Sequence, residues 1–439
     1  MERAFFFDYP NETLSRHQIA AHQHTALTRM FAEVFAYNVF YRRKYQEAGW
    51  SGLPRLDDWS RFPCTTKAEL SQDAADHPPY GTNLTYPMER YVRLHQTSGT
   101  TGKPLVVLDT LESWEMMWKR SWGYIYRAAG VVPGDRIFVA SSFGLFVAFW
   151  PAYEFGPSLG CLMLTGGGQT SVQRLHTMLT HQATVLLCTP SYALYLSEVA
   201  RQEGIDLARS PIRLSIHAGE PGASIPSTKQ RIAEAWGATC FDHIGGSEVG
   251  PYGFECHVQP GGVHVNELHF VCEVISPQTL APVPPGEVGE LVMTNLHRWG
   301  FPIIRYRTGD LVRLSPTETC ACGRSLRLLE GGVLARADDM LLIRGVNVYP
   351  STIESAVRVF PEITEFEGHV FTHQGLEQIA LKVELLPEYR AQTERIRAHL
   401  QEELRQRLGM RIDIEAVLPG ALPRYELKAK RFKRVEMGE

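Results

Sequence analysis

Thr97-Ser98-Gly99-Thr100-Thr101-Gly102-Lys103-Pro104 places four hydroxyl side chains, two glycines and a lysine in one short run. Arg90-Tyr91-Val92-Arg93-Leu94-His95 before it and Leu105-Val106-Val107-Leu108 after it both read as strands, so the run falls in the loop of a hairpin. Glycine lets a backbone approach a ligand closely and turn to positive φ. Exposed N–H groups, hydroxyls and a lysine then suit the oxygens of a polyphosphate. A plain polar hairpin turn has the same composition. A P-loop does not fit, because it needs four residues between its glycine and its Gly-Lys pair and only two stand here; Lys103 is also followed by Pro104 rather than Ser or Thr.

Outward from this loop, 439 residues exceed one ordinary core and predict two or three domains. Hydrophobic content of 44% and charged content of 21% are globular values. A formal net charge of −4 gives no sign of nucleic-acid binding or of a polybasic membrane surface; basic residues gather only over 428–434. The N-terminal Phe5-Phe6-Phe7-Asp8 is too short and too acidic for a signal peptide, and no apolar run approaches ~20 residues, so no membrane partner is expected. Cys64, Cys161, Cys188, Cys240 and Cys272 stand alone in apolar segments, as buried free thiols do, which predicts a cytoplasmic location.

Residues 15–49 carry apolar side chains at helical spacing and predict one helix, and Thr65-Thr66-Lys67-Ala68-Glu69 opens another. A helix is predicted over 111–129, then short apolar strands over 136–141, 162–165, 185–188 and 212–218 alternate with helices over 172–181 and 190–203. That alternation predicts an α/β fold with a parallel, doubly wound sheet. Ligands of such sheets bind beyond the C-terminal strand ends, where the Gly-, Pro- and Ser-rich turns fall.

The chain resembles the adenylate-forming superfamily of acyl- and aryl-CoA synthetases, nearest the phenylacetate–CoA ligase branch. The 97–104 run is similar to that superfamily's phosphate loop, which makes Ser98, Gly99, Thr100, Thr101, Gly102 and Lys103 ligands of ATP. Phe241-Asp242-His243-Ile244-Gly245-Gly246-Ser247-Glu248 resembles the aromatic-Gly-x-Ser/Thr-Glu motif, with Ile244 where a tyrosine is usual. The resemblance makes Glu248 the Mg²⁺ ligand, a hard cation taking carboxylate oxygen, puts Gly245, Gly246 and Ser247 against the nucleotide, and makes Gly219-Glu220-Pro221 an adenine-contact segment. Tyr306-Arg307-Thr308-Gly309-Asp310-Leu311 matches the Tyr-Arg-Thr-Gly-Asp-Leu motif residue by residue, which gives Asp310 the ribose hydroxyls. The turn of Phe143, Gly144 and Phe146, with Tyr192, lines the acyl pocket by the same likeness, and aromatic walls suit a flat aryl acid better than a long alkyl chain.

Ala335-Arg336-Ala337-Asp338-Asp339 resembles the motif that closes the large domain, with Ala335 for its first glycine. Arg336 is then expected near ribose or phosphates and Asp338 at the hinge, dividing the chain into 1–337 and a mobile α+β domain over 338–439. Ser351 and Glu354 have the spacing of a capping box. Leu422-Pro423-Arg424-Tyr425-Glu426-Leu427-Lys428 resembles the superfamily's Leu-Pro-Arg-Ser-Glu-Gly-Lys, which makes Lys428, rather than Lys430, the lysine that reaches the acyl carboxylate and α-phosphate.

Cys320-Ala321-Cys322-Gly323 is a compact thiol pair. With Cys256 and His264 it would complete a closed tetrahedral zinc set, structural rather than catalytic, and His257 competes for the fourth place. The resemblance implies a carboxylic acid, ATP and coenzyme A as substrates. A carrier-protein thiol or an amine is the alternative acceptor, and a non-catalytic nucleotide-binding protein is a remote one. The sequence leaves the oligomeric state open, a homodimer included.

Overall fold

The computed structural model describes residues 2–50, 56–97, 104–344, 346–373, 376–426 and 428–435. The predicted hairpin is present: β1 (Tyr91–Gln96) pairs antiparallel with β2 (Val106–Thr110), Gln96 opposite Val106. Its neck is closed twice. Thr97 N–H donates to the Leu105 carbonyl at 3.0 Å, and Leu105 N–H donates to Thr97 Oγ1 at 3.0 Å. The predicted phosphate ligands, residues 98–103, lie outside the described residues.

Among the described residues, β3 (Arg136–Val139), β4 (Leu162–Thr165), β5 (Val185–Cys188), β6 (Leu214–His217) and β7 (Thr239–Gly246) form a parallel sheet in the order β7-β6-β5-β3-β4. Alternate residues face opposite helix layers. Ile137, Val139, Val185 and Leu187 pack with the helix Arg120–Ala128, while Phe138, Leu186 and Cys188 pack with Pro190–Gln202 and Pro226–Trp236. This is the doubly wound core the alternation predicts, but the sheet does not end there. It continues antiparallel through β8 (Gly250–Glu255), β9 (Gly262–Val265) and a later strand, β13 (Leu328–Glu330). Only Ser247-Glu248-Val249 joins β7 to β8, whereas a parallel partner needs a crossover of about a dozen residues.

A second, antiparallel sheet holds β10 (Phe270–Ile275), β11 (Val288–Asn295), β12 (Tyr306–Arg313) and β14 (Ala335–Arg336) in that order. The C-terminal part has its own core. There β15 (Leu341–Ile343) and β16 (Val346–Val348) form a hairpin, and β17 (Ile363–His373), β18 (Leu376–Leu385), β19 (Asp413–Val417) and β20 (Phe432–Arg434) form a sheet ordered β19-β18-β17-β20. The helices Pro350–Val357 and Thr393–Leu408 cover it through Ile353, Val357, Ile396, Leu400 and Leu404.

Two local expectations are corrected. The predicted 15–49 helix is two, Arg16–Tyr37 and Val39–Glu47, because Asn38 takes extended backbone and its side chain caps the second by accepting from Tyr41 N–H. The Ser351–Glu354 capping box does not form. Tyr349 is the N-cap, and the Ser351 hydroxyl donates instead to the Leu334 carbonyl at 2.8 Å. The helix predicted to open at Thr65–Glu69 is Lys67–Asp76, and a capping box of Thr66 and Glu69 stands at its head.

Candidate active site

Glu248 stands in the short β7–β8 turn, at the end of the parallel strands. Lys67 Nζ lies 3.0 Å from its Oε1, and the Tyr306 hydroxyl is near enough to feel its charge. Its backbone is held as well: Arg298 Nη1 donates to the Glu248 carbonyl at 2.7 Å. Arg298 is fully buried and makes a bidentate pair with Asp109 of β2, at 2.7 Å for each bond. Asp109 also accepts from Ser113 Oγ at 2.9 Å and Trp118 Nε1 at 3.0 Å. Burial pushes the Asp109 carboxyl above its ordinary range, with Arg298 opposing. The strand that leaves the 98–103 loop is thereby tied to the turn that carries Glu248.

Asp310 lies on β12. Arg336 Nη1 donates to its Oδ1 at 2.9 Å, and the Tyr252 hydroxyl donates to its Oδ2 at 3.2 Å. Arg336 also grips Asp338 through Nε and Nη2, each at 2.8 Å. Gly309 has φ +76°, and a Cβ there would meet Arg336 Nη2 at 2.9 Å, so the Gly-Asp pair is needed for this arrangement. Burial pushes the Asp310 carboxyl up, opposed first by Arg336. Lys428 is close enough to act on Asp310, Asp338 and Asp339. Burial raises the Tyr306 hydroxyl, and the charges of Glu248 and Asp310 add to the effect. Glu248, Asp310 and Arg336, far apart in sequence, thus lie around Tyr306, with Lys428 near enough to Asp310 to act on its charge. Arg307 of the same motif points elsewhere, to Glu290 at 2.5 and 2.9 Å.

Gly219 has φ +98° in the loop after β6. The Glu220 side chain bridges two N–H groups, Ser191 at 2.9 Å and Ala429 at 2.8 Å. Gly245 has no room for a side chain, since a Cβ there would lie 3.0 Å from the Gly250 carbonyl oxygen, while Gly246 opens toward Glu248. Phe143 packs on Trp150 and Tyr153 with ring centroids 4.4 and 5.3 Å away; Gly144 accepts from Trp150 Nε1, and Phe146 is exposed. Tyr192 does not join them. It is fully buried in the opposite helix layer, its hydroxyl tied to Arg174 and Ser171.

The four predicted zinc ligands come together: the ligating atoms of Cys256, His264, Cys320 and Cys322 lie within 4.8 Å of one another. Cys256 Sγ is 4.0 Å from Cys320 Sγ, and Cys322 Sγ is 3.5 Å from His264 Nε2. His264 Nδ1 is 3.1 Å from the Leu326 carbonyl, a hydrogen bond that leaves Nε2 free to ligate. His257 instead stacks on Phe5 at 3.6 Å, outside the cluster.

Over 436 residues the chain is 36% identical to the phenylacetate–coenzyme A ligase of Escherichia coli (strain K12), spanning 96% of each chain. The chain belongs to the phenylacetate–CoA ligase family. The profile of the AMP-binding enzyme C-terminal domain matches residues 345–434, which lie within the part that has its own core. Among solved structures, 2-hydroxyisobutyryl-CoA ligase in the postadenylation state with R3-HIB-AMP superposes with a TM-score of 0.92 at 29% identity, covering 98% of this chain and 92% of that one. The thioesterification state of 2-hydroxyisobutyryl-CoA ligase, with 2-HIB-AMP and CoA, gives 0.72 at 30% identity, covering 97% and 91%.

Sequence reasoning missed Lys67 and Tyr252, which touch the Glu248 and Asp310 carboxylates of this phenylacetate–CoA ligase family member, and Asp109 and Arg298, which hold the Glu248 backbone. It also passed over Asp242 on β7, whose carboxyl burial and the neighbouring Glu255 push up to about 7. A charged residue inside an apolar strand run, as Asp109 and Asp242 are, was the available signal.

Proposed function

We propose that the chain is an AMP-forming acid–thiol ligase acting on an aryl acid of the phenylacetate class. Carboxylate and ATP give an acyl adenylate and pyrophosphate; coenzyme A then displaces AMP to give the thioester. The observation that carries this reading is the Arg336–Asp310 pair beside Tyr306, with Glu248 and Lys428 near enough for their charges to act on it. Asp310 accepts from the ribose hydroxyls. The Lys428 ammonium neutralises charge where a carboxylate oxygen bonds to the α-phosphorus and the bond to the pyrophosphate oxygen breaks. Lys103 and the hydroxyls and N–H groups of residues 98–102 hold the departing phosphates. Glu248 offers the carboxylate oxygen a magnesium ion requires, and the ion when bound would neutralise phosphate charge. Phe143, Gly144 and Phe146 wall the acyl pocket. The division falls between 337 and 338, with Asp338 as hinge.

The donor set of Cys256, His264, Cys320 and Cys322 fits a zinc ion, which would cross-link the β9–β13 edge of the large sheet and leave no position open for chemistry. A carrier-protein thiol or an amine is the second reading for the acceptor. The test is acid-dependent pyrophosphate release from ATP over a panel of aryl and alkyl acids, with products analysed with and without CoA. Thioester formation only with CoA is expected. ATP binding with no acid-dependent release across the panel would refute the reading.

A further inference from the structure

Lys428 stands on a segment held from two sides. Within the small domain, Arg424 Nη2 and Nη1 donate to Glu384 at 2.6 and 3.1 Å, and Arg431 Nε and Nη2 donate to Glu365 at 2.7 and 3.1 Å. Buried charges thus fix both ends of 424–431 to β17 and β18. Further contacts cross to the large domain. Arg424 Nε and Nη2 donate to Glu198 at 2.9 and 2.8 Å, and Arg174 Nη1 donates to Glu426 at 3.1 Å. Ala429 N–H donates to Glu220 at 2.8 Å, and Arg431 Nη2 donates to Ser191 Oγ at 3.0 Å. Glu198 and Ser191 lie on the helix Pro190–Gln202 and Arg174 on Ser171–Thr180. Each contact involves a charged partner, the stronger kind of hydrogen bond.

Arg174 is built for this place. It is buried, anchored by Nε to the Gly166 carbonyl at 2.9 Å and by Nη1 to the Tyr192 hydroxyl at 2.5 Å, so its fork is preset before Glu426 arrives. Glu426 is half exposed and pairs with nothing in its own domain among the described contacts. The chain's arrangement matches the postadenylation form of 2-hydroxyisobutyryl-CoA ligase more closely than its thioesterification form, 0.92 against 0.72. Contacts made in one arrangement alone bias the population toward it.

We propose that Arg174 and Glu198 are positioning residues for Lys428: by holding Glu426 and Arg424 they seat the lysine for adenylation and take no part in thioester formation. This rests on the role given to Lys428 above. The full-length enzyme tests it through Glu198→Lys, Glu426→Lys, the double variant and the neutral Glu426→Gln. Glu426 and Glu198 lie toward the surface, and unchanged thermal melting confirms folding. The acid is the one from the panel that turns over fastest, and the second half-reaction starts from its synthetic adenylate and CoA. Each reversal sets two cations against each other and is expected to slow pyrophosphate release about tenfold, the double about a hundredfold. Glu426→Gln should fall between wild type and Glu426→Lys, and consumption of the supplied adenylate should stay within about twofold. Parallel loss of both half-reactions, or loss of neither, overturns the proposal. Lys428→Ala runs beside them. If it leaves adenylation intact, the reading of Lys428 fails and the seat has nothing to position. If it abolishes adenylation while the reversals do not, that reading stands and the seat is wrong.

Discussion

Loss of the zinc ion proposed for the cysteine cluster is the perturbation whose outcome the geometry specifies most fully. Zinc–sulfur bonds of about 2.3 Å and zinc–nitrogen bonds of about 2.05 Å in a tetrahedron put sulfurs about 3.8 Å apart and sulfur about 3.6 Å from nitrogen. Cys256 and Cys320 stand at 4.0 Å, and Cys322 and His264 at 3.5 Å, so the side chains are set for an ion with little movement. A disulfide needs sulfurs at about 2.05 Å, half the observed separation. Cys256 follows β8, His264 lies on β9, and Cys320 and Cys322 precede β13, so one ion would tie three segments at the sheet edge. An ion present at a thousand times its dissociation constant stabilises by about 4 kcal/mol, which for a large domain raises the melting temperature by roughly 5 °C or more. Protein purified without chelator is expected to carry one zinc per chain by elemental analysis. Cys320→Ser and Cys322→Ser should lose it and melt several degrees lower, while His257→Ala keeps both zinc and melting temperature. Metal-free protein from zinc-supplied cells, melting as the Cys320→Ser variant does, would refute the assignment.

Three further outcomes follow from buried groups. Asp109→Asn leaves the Arg298 guanidinium buried without its carboxylate and should cost about 3–5 kcal/mol in chemical denaturation; because Arg298 holds the Glu248 backbone, the magnesium requirement for pyrophosphate release should rise with it, and an unchanged magnesium titration would separate the pair from the site. Gly309→Ala places a methyl group 2.9 Å from Arg336 at a φ of +76°, and should raise KM for ATP several-fold by displacing Arg336 from Asp310; an unchanged KM would show that the pair is not at the nucleotide. Burial alone would raise Glu365, but Arg431 and Arg358 overcome it and hold its carboxyl down at about 2, against about 4.5 when unfolded. A depressed carboxyl contributes stability above its unfolded value and loses it as pH falls from about 4.5 toward 2, here on the order of 3 kcal/mol. The stability gap between wild type and Glu365→Gln should therefore shrink in acid, and a gap independent of pH between 6 and 3 would contradict it.

Much of the site was legible because its parts are local. The Gly309–Asp310 pair of its motif, strands on both sides of 98–103, and the helix start at Thr65–Glu69 each depend on residues a few positions apart. The Cys320–Cys322 pair was equally plain, but choosing His264 over His257 required knowing that one ring faces the thiols and the other lies on Phe5. Tyr192 shows the opposite limit. The family likeness suggested a pocket wall, whereas Tyr192 is buried in the helix Pro190–Gln202, in the core cluster on the other side of the sheet from Phe143.

By itself the sequence determined the alternating α/β core, the separate C-terminal unit and the acidic, glycine-bearing motifs, since periodicity and turn chemistry act over short distances. The tertiary structure alone decided the antiparallel half of the large sheet, the burial of Asp109 against Arg298, and the contacts of Arg174, Glu198 and Glu220 with Glu426, Arg424 and Ala429. Those features pair charges that lie up to about 250 residues apart, and a buried ion's partner is chosen by which surfaces meet once the layers have packed.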